Sequence, residues 1–295
     1  MVNSSQREVA VTFDDLPLQP PIRELESIVA ITRELLTSLT DNGVSAVGFV
    51  NEGRLYDEGK ANDACIAILR MWLDAGHDLG NHTLSHCDLN NSPLPAYFDD
   101  IVEGELITKD LLRERGLSMT YFRHPYLHTG VDANTKRSVE DFLFARGYEI
   151  APVTIASQEW AFALVYDEAK RRGDRRVMQR AGKAYVPYME EIFKHAETVS
   201  IELFGYEIKQ VLLLHASALN ADYFNQLALM IKKRGYNFIS LPQALEDEAF
   251  IVPNSYVGPA GLSWFYRWAV GMEKDLSAAP PEPEFVMRLL DQYEL

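Results

Sequence analysis

The feature that most restricts this chain is a repeated alternation of short apolar segments with longer amphipathic ones, the mark of βα units around a parallel sheet. Seven segments read as strands: 9–13, 46–50, 77–81, 121–123, 148–155, 211–215 and 237–241. Between them the apolar spacing predicts helices over 25–40, 63–75, 96–115, 133–146 and 221–233. Gly43, Gly76, Gly116, Gly147 and Gly235 stand where such helices commonly stop. At 295 residues the chain suits either one α/β barrel or two small domains. The charged interval 160–210 reads as an insertion of two helices covering one barrel position, and its run Arg171-Arg172-Gly173-Asp174-Arg175-Arg176 as a solvated face. From Pro253 onward, Trp264-Phe265-Tyr266-Arg267-Trp268 and Pro280-Pro281-Glu282-Pro283 predict a packed extension, a loop and a last short helix.

With 43 acidic and 28 basic residues the net charge is −15, which argues against nucleic acid or an anionic membrane surface as partner. Cys65 and Cys87 are too few for a disulfide framework, and both read as reduced thiols. Cys87 adjoins His86, but thiolate ligation is the weaker reading when oxygen and nitrogen donors are at hand. No apolar run has the length of a membrane span, and the first eight residues lack the pattern of a signal peptide. The expectation is a cytoplasmic protein, or an exported one whose signal has been removed.

In a parallel α/β barrel the carboxyl ends of the strands share one rim, so residues from distant parts of the chain converge there. Asp14 and Asp15 end the first strand, His82 and His86 follow the third, Arg123 ends the fourth and His215 ends the sixth. The two imidazoles of His82-Thr83-Leu84-Ser85-His86 have the spacing of one helical turn. Asp15, His82 and His86 together supply the three protein ligands of a catalytic zinc site, whose open position holds a water of lowered pKa. Hydrolysis of an amide or ester then needs a base, for which Asp14 is placed, and an acid, for which His215 arrives from the opposite part of the barrel. Taken singly, a histidine ending an apolar strand also reads as a packed core residue, and Asp14 as a turn or cap residue. Adjacent anions repel, so without metal one of Asp14 and Asp15 should hold its proton more tightly.

The segments Thr12-Phe13-Asp14-Asp15, His82-Thr83-Leu84-Ser85-His86, Arg123-His124-Pro125-Tyr126 and Leu212-Leu213-Leu214-His215 resemble four of the five ordered motifs of the polysaccharide deacetylase family, the nodulation-type chitooligosaccharide deacetylases and their homologues. The ordered set is specific, whereas His-x-x-x-His alone is weak. The resemblance runs from Val9 to about Leu241. It implies a distorted (β/α)7-type barrel with a helical insertion (about 161–208) before the sixth strand and a C-terminal extension (about 251–295), in a single catalytic domain. It implies removal of N- or O-acetyl groups from sugars, with zinc or another divalent metal such as cobalt or nickel on Asp15, His82 and His86. Asp14 would be the base and His215 the acid. Arg123 would orient Asp14, a bidentate task suited to Arg. Pro125 and Tyr126 would meet substrate, the Tyr126 backbone N–H stabilising the oxyanion.

One motif departs from the pattern. The fourth commonly opens with Asp, whereas this chain has Ala156-Ser157-Gln158-Glu159-Trp160. Either Glu159 takes over the tuning of the acid histidine, or the pKa of His215 is set differently. Trp160 is expected to line the pocket or to pack in the core. His124 and His128 are extra rim candidates for polar contacts, His77 belongs to the start of the third strand, and His195 to an exposed helix. Two other readings accompany the acetylated-sugar substrate: a small non-sugar amide on the same barrel, and a non-catalytic carbohydrate-binding relative.

Overall fold

The computed structural model describes residues 7–295. Strand β1 (Arg7–Leu16) is buried from Val9 to its end, as expected of a central strand covered on both faces. It belongs to a seven-stranded sheet with β2 (Ala46–Val50), β3 (Asp78–Asn81), β4 (Tyr121–Phe122), β5 (Glu149–Ile150), β6 (Gln210–His215) and β7 (Tyr236–Ile239). The order is β5-β4-β3-β2-β1-β6, with β7 paired to the first residues of β1 and every pairing parallel. After β5 the chain runs on to bridge Ile155 to Leu212 of β6, with the Thr154 and Ile155 amides both 3.0 Å from the Val211 carbonyl. That bridge curls the sheet into the distorted α/β barrel expected from the sequence. Its interior is filled by Ala10, Val47, Phe49, Tyr121, Ala151 and Val211.

Helices α1 (Leu25–Asn42), α2 (Asp63–Asp74), α5 (Ala133–Ala145) and α8 (Ala218–Lys233) fall where the periodicity predicts them. The predicted helix over 96–115 is instead two, α3 (Leu94–Glu103) and α4 (Leu106–Arg113). The break lies at Gly104, where a Cβ would stand 2.4 Å from the Leu84 amide, so only glycine allows this approach of the loop after β3. The first turn of α4 is capped from outside by buried Glu52, whose carboxylate accepts from the Ile107 and Thr108 amides. The predicted strand over 148–155 shrinks to β5 and one bridge, because residues beyond Ile150 leave β4 to reach β6.

The insertion is α6 (Glu159–Arg172) and α7 (Arg175–Phe204). Its basic run is the junction between them: Gly173 ends α6 in a left-handed conformation, Asp174 caps α7, and Arg171 and Arg172 pair with Glu168. In the extension, α9 (Trp264–Gly271) buries Trp264, Phe265, Arg267 and Trp268, and α10 (Glu284–Tyr293) packs on α6 through Phe285 against Phe162. No helix among the described residues is long and apolar enough to cross a membrane.

Candidate metal and catalytic site

The carboxyl ends of β1, β3, β4 and β6 bring the predicted residues to one rim. Asp15 Oδ1 lies 3.6 Å from His86 Nε2 and 3.9 Å from His82 Nε2. Ligand atoms of the three residues all fall within 4.8 Å of one another. Three donors on one tetrahedral zinc would stand about 3.4 Å apart at ordinary bond lengths. The two Asp15 distances are within about half an ångström of that spacing, and the group as a whole closes on a small divalent ion by a contraction of about 1.4 Å at most. Two further observations fit such an ion. Asp15 Oδ1 is buried with no hydrogen-bond partner. His82 Nδ1 sits 2.7 Å from the Arg123 carbonyl, which can only accept, so Nδ1 carries the proton and Nε2 presents its lone pair to the group. Cys87 stays out of the group, with its Sγ 3.1 Å from Ser92 Oγ.

The His-x-x-x-His segment is a loop, not the helical turn that its spacing suggested. Its amides are taken by other acceptors: Thr83 N by Asn81 Oδ1 at 2.7 Å, Leu84 N by the Asp100 carbonyl at 2.9 Å and Cys87 N by Thr83 Oγ1 at 3.0 Å. The imidazoles meet anyway, with ring centroids 5.0 Å apart. Left-handed backbone at residues other than glycine gathers here, at Asp15 (φ 69°), Thr83 (65°), His86 (60°), Tyr126 (57°) and Leu127 (54°). Each such residue costs on the order of 1–3 kcal/mol unless its surroundings hold it, and such strain clusters at functional sites.

Asp14 and His215 are register partners on the neighbouring strands β1 and β6. The expectation that His215 comes from the opposite side of the barrel is thus corrected: sheet order, which local sequence does not carry, places the sixth strand beside the first. Asp14 is buried, 3.7 Å from His82 Nε2 through Oδ2. Arg123 reaches both of its oxygens, but through Nη1 alone, at 3.3 and 3.5 Å. The rest of the buried guanidinium is spent on Thr12 Oγ1 and the Ala151 carbonyl, each at 3.1 Å, and its face lies over Phe49. Burial pushes Asp14 up to about 6 against the pull of Arg123. Burial also opposes ionisation of Asp15, yet Arg54, His86, His215 and His82 together bring it down to about 2. The neighbouring acids are thereby split, with Asp14 the one that holds its proton more tightly.

Of the two alternatives left by Ala156, the geometry has Glu159 paired directly with His215. Its Oε2 is 2.7 Å from His215 Nδ1, and its Oε1 accepts from the Asn220 side chain at 2.6 Å. Burial would lower the pKa of His215, but Glu159, with Asp15 and Asp14 behind it, raises it to about 9. The imidazole is therefore cationic at neutral pH.

Pro125, Tyr126 and Leu127 form a short turn after β4, and the Tyr126 ring, 55% exposed, stands edge-on to His86 at 4.5 Å. The C-terminal extension grips this turn. Buried Arg267 donates to the Leu127 carbonyl and to Thr129 Oγ1, and Gly258 N reaches the Gly130 carbonyl. A Cβ on Gly261 would lie 1.9 Å from the Tyr126 carbonyl oxygen, so only glycine fits there. Replacement of Gly261 by Ala should cost about 1–3 kcal/mol by forced displacement of one backbone or the other. Thermal denaturation should show the melting temperature down by several degrees, and an unchanged value would contradict the close approach.

Trp160 is 36% exposed and adjoins Glu159 at the start of α6. His128 lies at the rim, its Nδ1 2.7 Å from Asp88 and its ring 5.6 Å from Tyr126. His124 does not: it is buried, paired with Tyr97 Oη at 3.0 Å, and driven by burial down to about 3. His77 is buried just before β3, and His195 is half-buried against Tyr266 rather than exposed. Sequence reasoning missed Arg54, which approaches Asp15 Oδ1 at 3.6 Å. Its signal was position, since it follows β2 onto the same rim.

Residues 2–142 match the family model described as "Polysaccharide deacetylase". A chitin deacetylase from Pestalotiopsis sp is 34% identical over 120 residues, which is 41% of this chain and 34% of that protein. The chain thus matches about a third of the length of that curated relative. The chitin deacetylase structure from Colletotrichum lindemuthianum shares the fold, with a TM-score of 0.56, 21% identity, and coverage of 85% of this chain and 92% of that one. A family 4 acetyl xylan esterase from Clostridium thermocellum, solved with a cobalt ion, has a TM-score of 0.50 and 19% identity over 81% of this chain and 91% of its own.

Proposed function

We propose that this chain, which belongs to the polysaccharide deacetylase family, is a metal-dependent hydrolase that removes acetyl groups from N- or O-acetylated sugars. The observation that carries the reading is the joining of an Asp and two His donors within 4.8 Å to a buried carboxylate and a histidine in register beside them. Asp15, His82 and His86 would hold the ion. Zinc suits the donor set, and cobalt is a natural alternative since the acetyl xylan esterase of like fold was solved with it. A divalent ion there supplies a water of lowered pKa and polarises the acetyl carbonyl.

The chain's own groups would then do the proton work. Asp14, ionised at neutral pH and steadied by Arg123 Nη1, takes the proton of the attacking water. His215, with Nδ1 fixed by Glu159, presents Nε2 and gives its proton to the departing amine or alkoxide. The Tyr126 N–H, on the strained turn after β4, is assigned to the developing oxyanion. Exposed Tyr126 and Trp160 favour an extended glycan over a small enclosed amide, because sugar faces stack on open aromatic rings. The similarity to chitin deacetylase points to N-acetylglucosamine oligomers as the first substrates to try.

Purified protein should carry about one divalent ion per chain. It should release acetate from acetylated oligosaccharides, lose that activity to a chelator, and regain it with Zn2+ or Co2+. Metal-replete protein that cleaves no acetylated oligosaccharide or acetyl ester would sink the reading, and turnover of small amides alone would replace the substrate class.

A further inference from the structure

We infer that Arg54 is a positioning residue for Asp15, and that the turn from Asn51 to Arg54 braces both loops that carry the donor group. The inference rests on the metal-dependent reading above.

The turn follows β2 and touches each loop separately. On one side, Arg54 Nη1 donates to the carbonyls of Asp15 at 3.0 Å and Leu18 at 2.9 Å, while Nη2 lies 3.6 Å from Asp15 Oδ1. On the other, Asn51 Nδ2 donates to the His82 carbonyl at 2.7 Å, and the Glu52 and Gly53 amides reach the carbonyls of Thr83 at 3.3 Å and Leu84 at 2.8 Å. A Cβ at Gly53 would stand 2.6 Å from the Leu84 oxygen, so the two segments are as close as a glycine allows. The turn itself is fixed to the scaffold, because buried Glu52 caps α4 with its carboxylate.

Asp15 needs such a brace. Its backbone is left-handed, and its buried Oδ1 has no hydrogen bond. One guanidinium reaching two carbonyls and a carboxylate fixes both the turn and the side chain, a geometry that the single nitrogen of Lys cannot reproduce. The positive charge of Arg54 by itself repels an incoming cation. Charge and positioning therefore predict opposite outcomes on removing it: tighter metal binding if charge dominates, weaker if positioning does. Two contacts on one strained residue, and a third on Leu18 three residues along the same turn, favour positioning.

The test uses the full chain, metal-free, as parent, Arg54→Met and Arg54→Lys. Co2+ affinity is measured by competition with a chromophoric chelator, and the visible spectrum of each Co2+ form is recorded beside near-ultraviolet circular dichroism. Arg54→Met should bind Co2+ 10- to 100-fold more weakly, the usual cost of losing a ligand-orienting partner, with an altered spectrum. Arg54→Lys should fall between it and the parent. Parent-like or tighter affinity with a parent-like spectrum in Arg54→Met overturns the inference alone. If Arg54→Met does not fold, the same result in Arg54→Lys overturns it. A parent that takes up neither Co2+ nor Zn2+ overturns the metal-dependent reading and this inference with it.

Discussion

Asp14→Asn should lower kcat by about 10²- to 10⁴-fold while leaving the metal content of the protein unchanged. The amide has nearly the shape of the carboxylate but cannot accept the proton of the attacking water. Asp14 is not one of the three grouped donors, although its Oδ2 comes within 3.7 Å of His82 Nε2, so the ion should remain on Asp15, His82 and His86. A second effect needs separating. Arg123 is buried, and Asp14 is the carboxylate its Nη1 faces, so the substitution leaves a charge without its partner. Breaking a buried pair from one side costs about 3–5 kcal/mol, and the melting temperature should fall accordingly. Kinetics measured well below that temperature, with metal content determined on the same sample, isolate the chemical effect. Retention of more than a tenth of the parent kcat by folded, metal-loaded protein would remove Asp14 from the mechanism.

Glu159→Gln should move the alkaline limb of kcat/KM to lower pH. Burial would lower His215, but Glu159 leads the charges that hold it at about 9, with Asp15 and Asp14 behind it. The acid must be protonated to act, so activity falls as pH rises through that value. With the charge gone, the imidazole should return toward or below the ordinary histidine value near 6.5. At pH 8 the protonated fraction would drop from about nine-tenths to about three-hundredths, a loss of roughly thirtyfold, whereas at pH 6 the loss would be small. A pH–rate profile with both limbs where the parent has them would show that Glu159 does not tune His215. The neutral amide also has to serve Asn220, which donates to the same carboxylate. A uniform loss at every pH would point to misorientation in place of pKa control.

Much of the site was legible because parallel strands deliver their carboxyl ends to one rim, so that residues far apart in sequence can be assigned to one place from strand boundaries alone. Asp14, Asp15, His82, His86, Arg123 and His215 all lie within two residues of a strand end or in the loop beyond it. Less legible was whatever depends on which strands are neighbours. Nothing near His215 says that β6 joins β1, so its pairing with Asp14 emerged only in three dimensions. The loop form of the His-x-x-x-His segment was hidden for a similar reason, since its amides are satisfied by Asn81, by Asp100 and by the hydroxyl of Thr83. The split of the 96–115 helix falls at Gly104, where the loop after β3 comes close, a tertiary contact that periodicity cannot register. Glu159 lay between these extremes. The sequence offered it as a substitute acid, and the start of α6 brings it to His215.

The ladder that joins Asp14 to His215 also bears on how such an enzyme can diversify. Neighbouring strands run about 4.8 Å apart whatever their side chains, and the Ala216 amide bonds the Asp14 carbonyl at 3.2 Å just past the last register pair. The separation of Asp14 from His215, the proposed base and acid, is thus written into main-chain geometry that point substitutions leave alone. The surfaces that would choose among acetylated sugars, the turn at Tyr126, the start of α6 and the C-terminal extension, stand on segments that can be lengthened or replaced. Selection can therefore retool the substrate range of this scaffold while Asp14 and His215 stay in register.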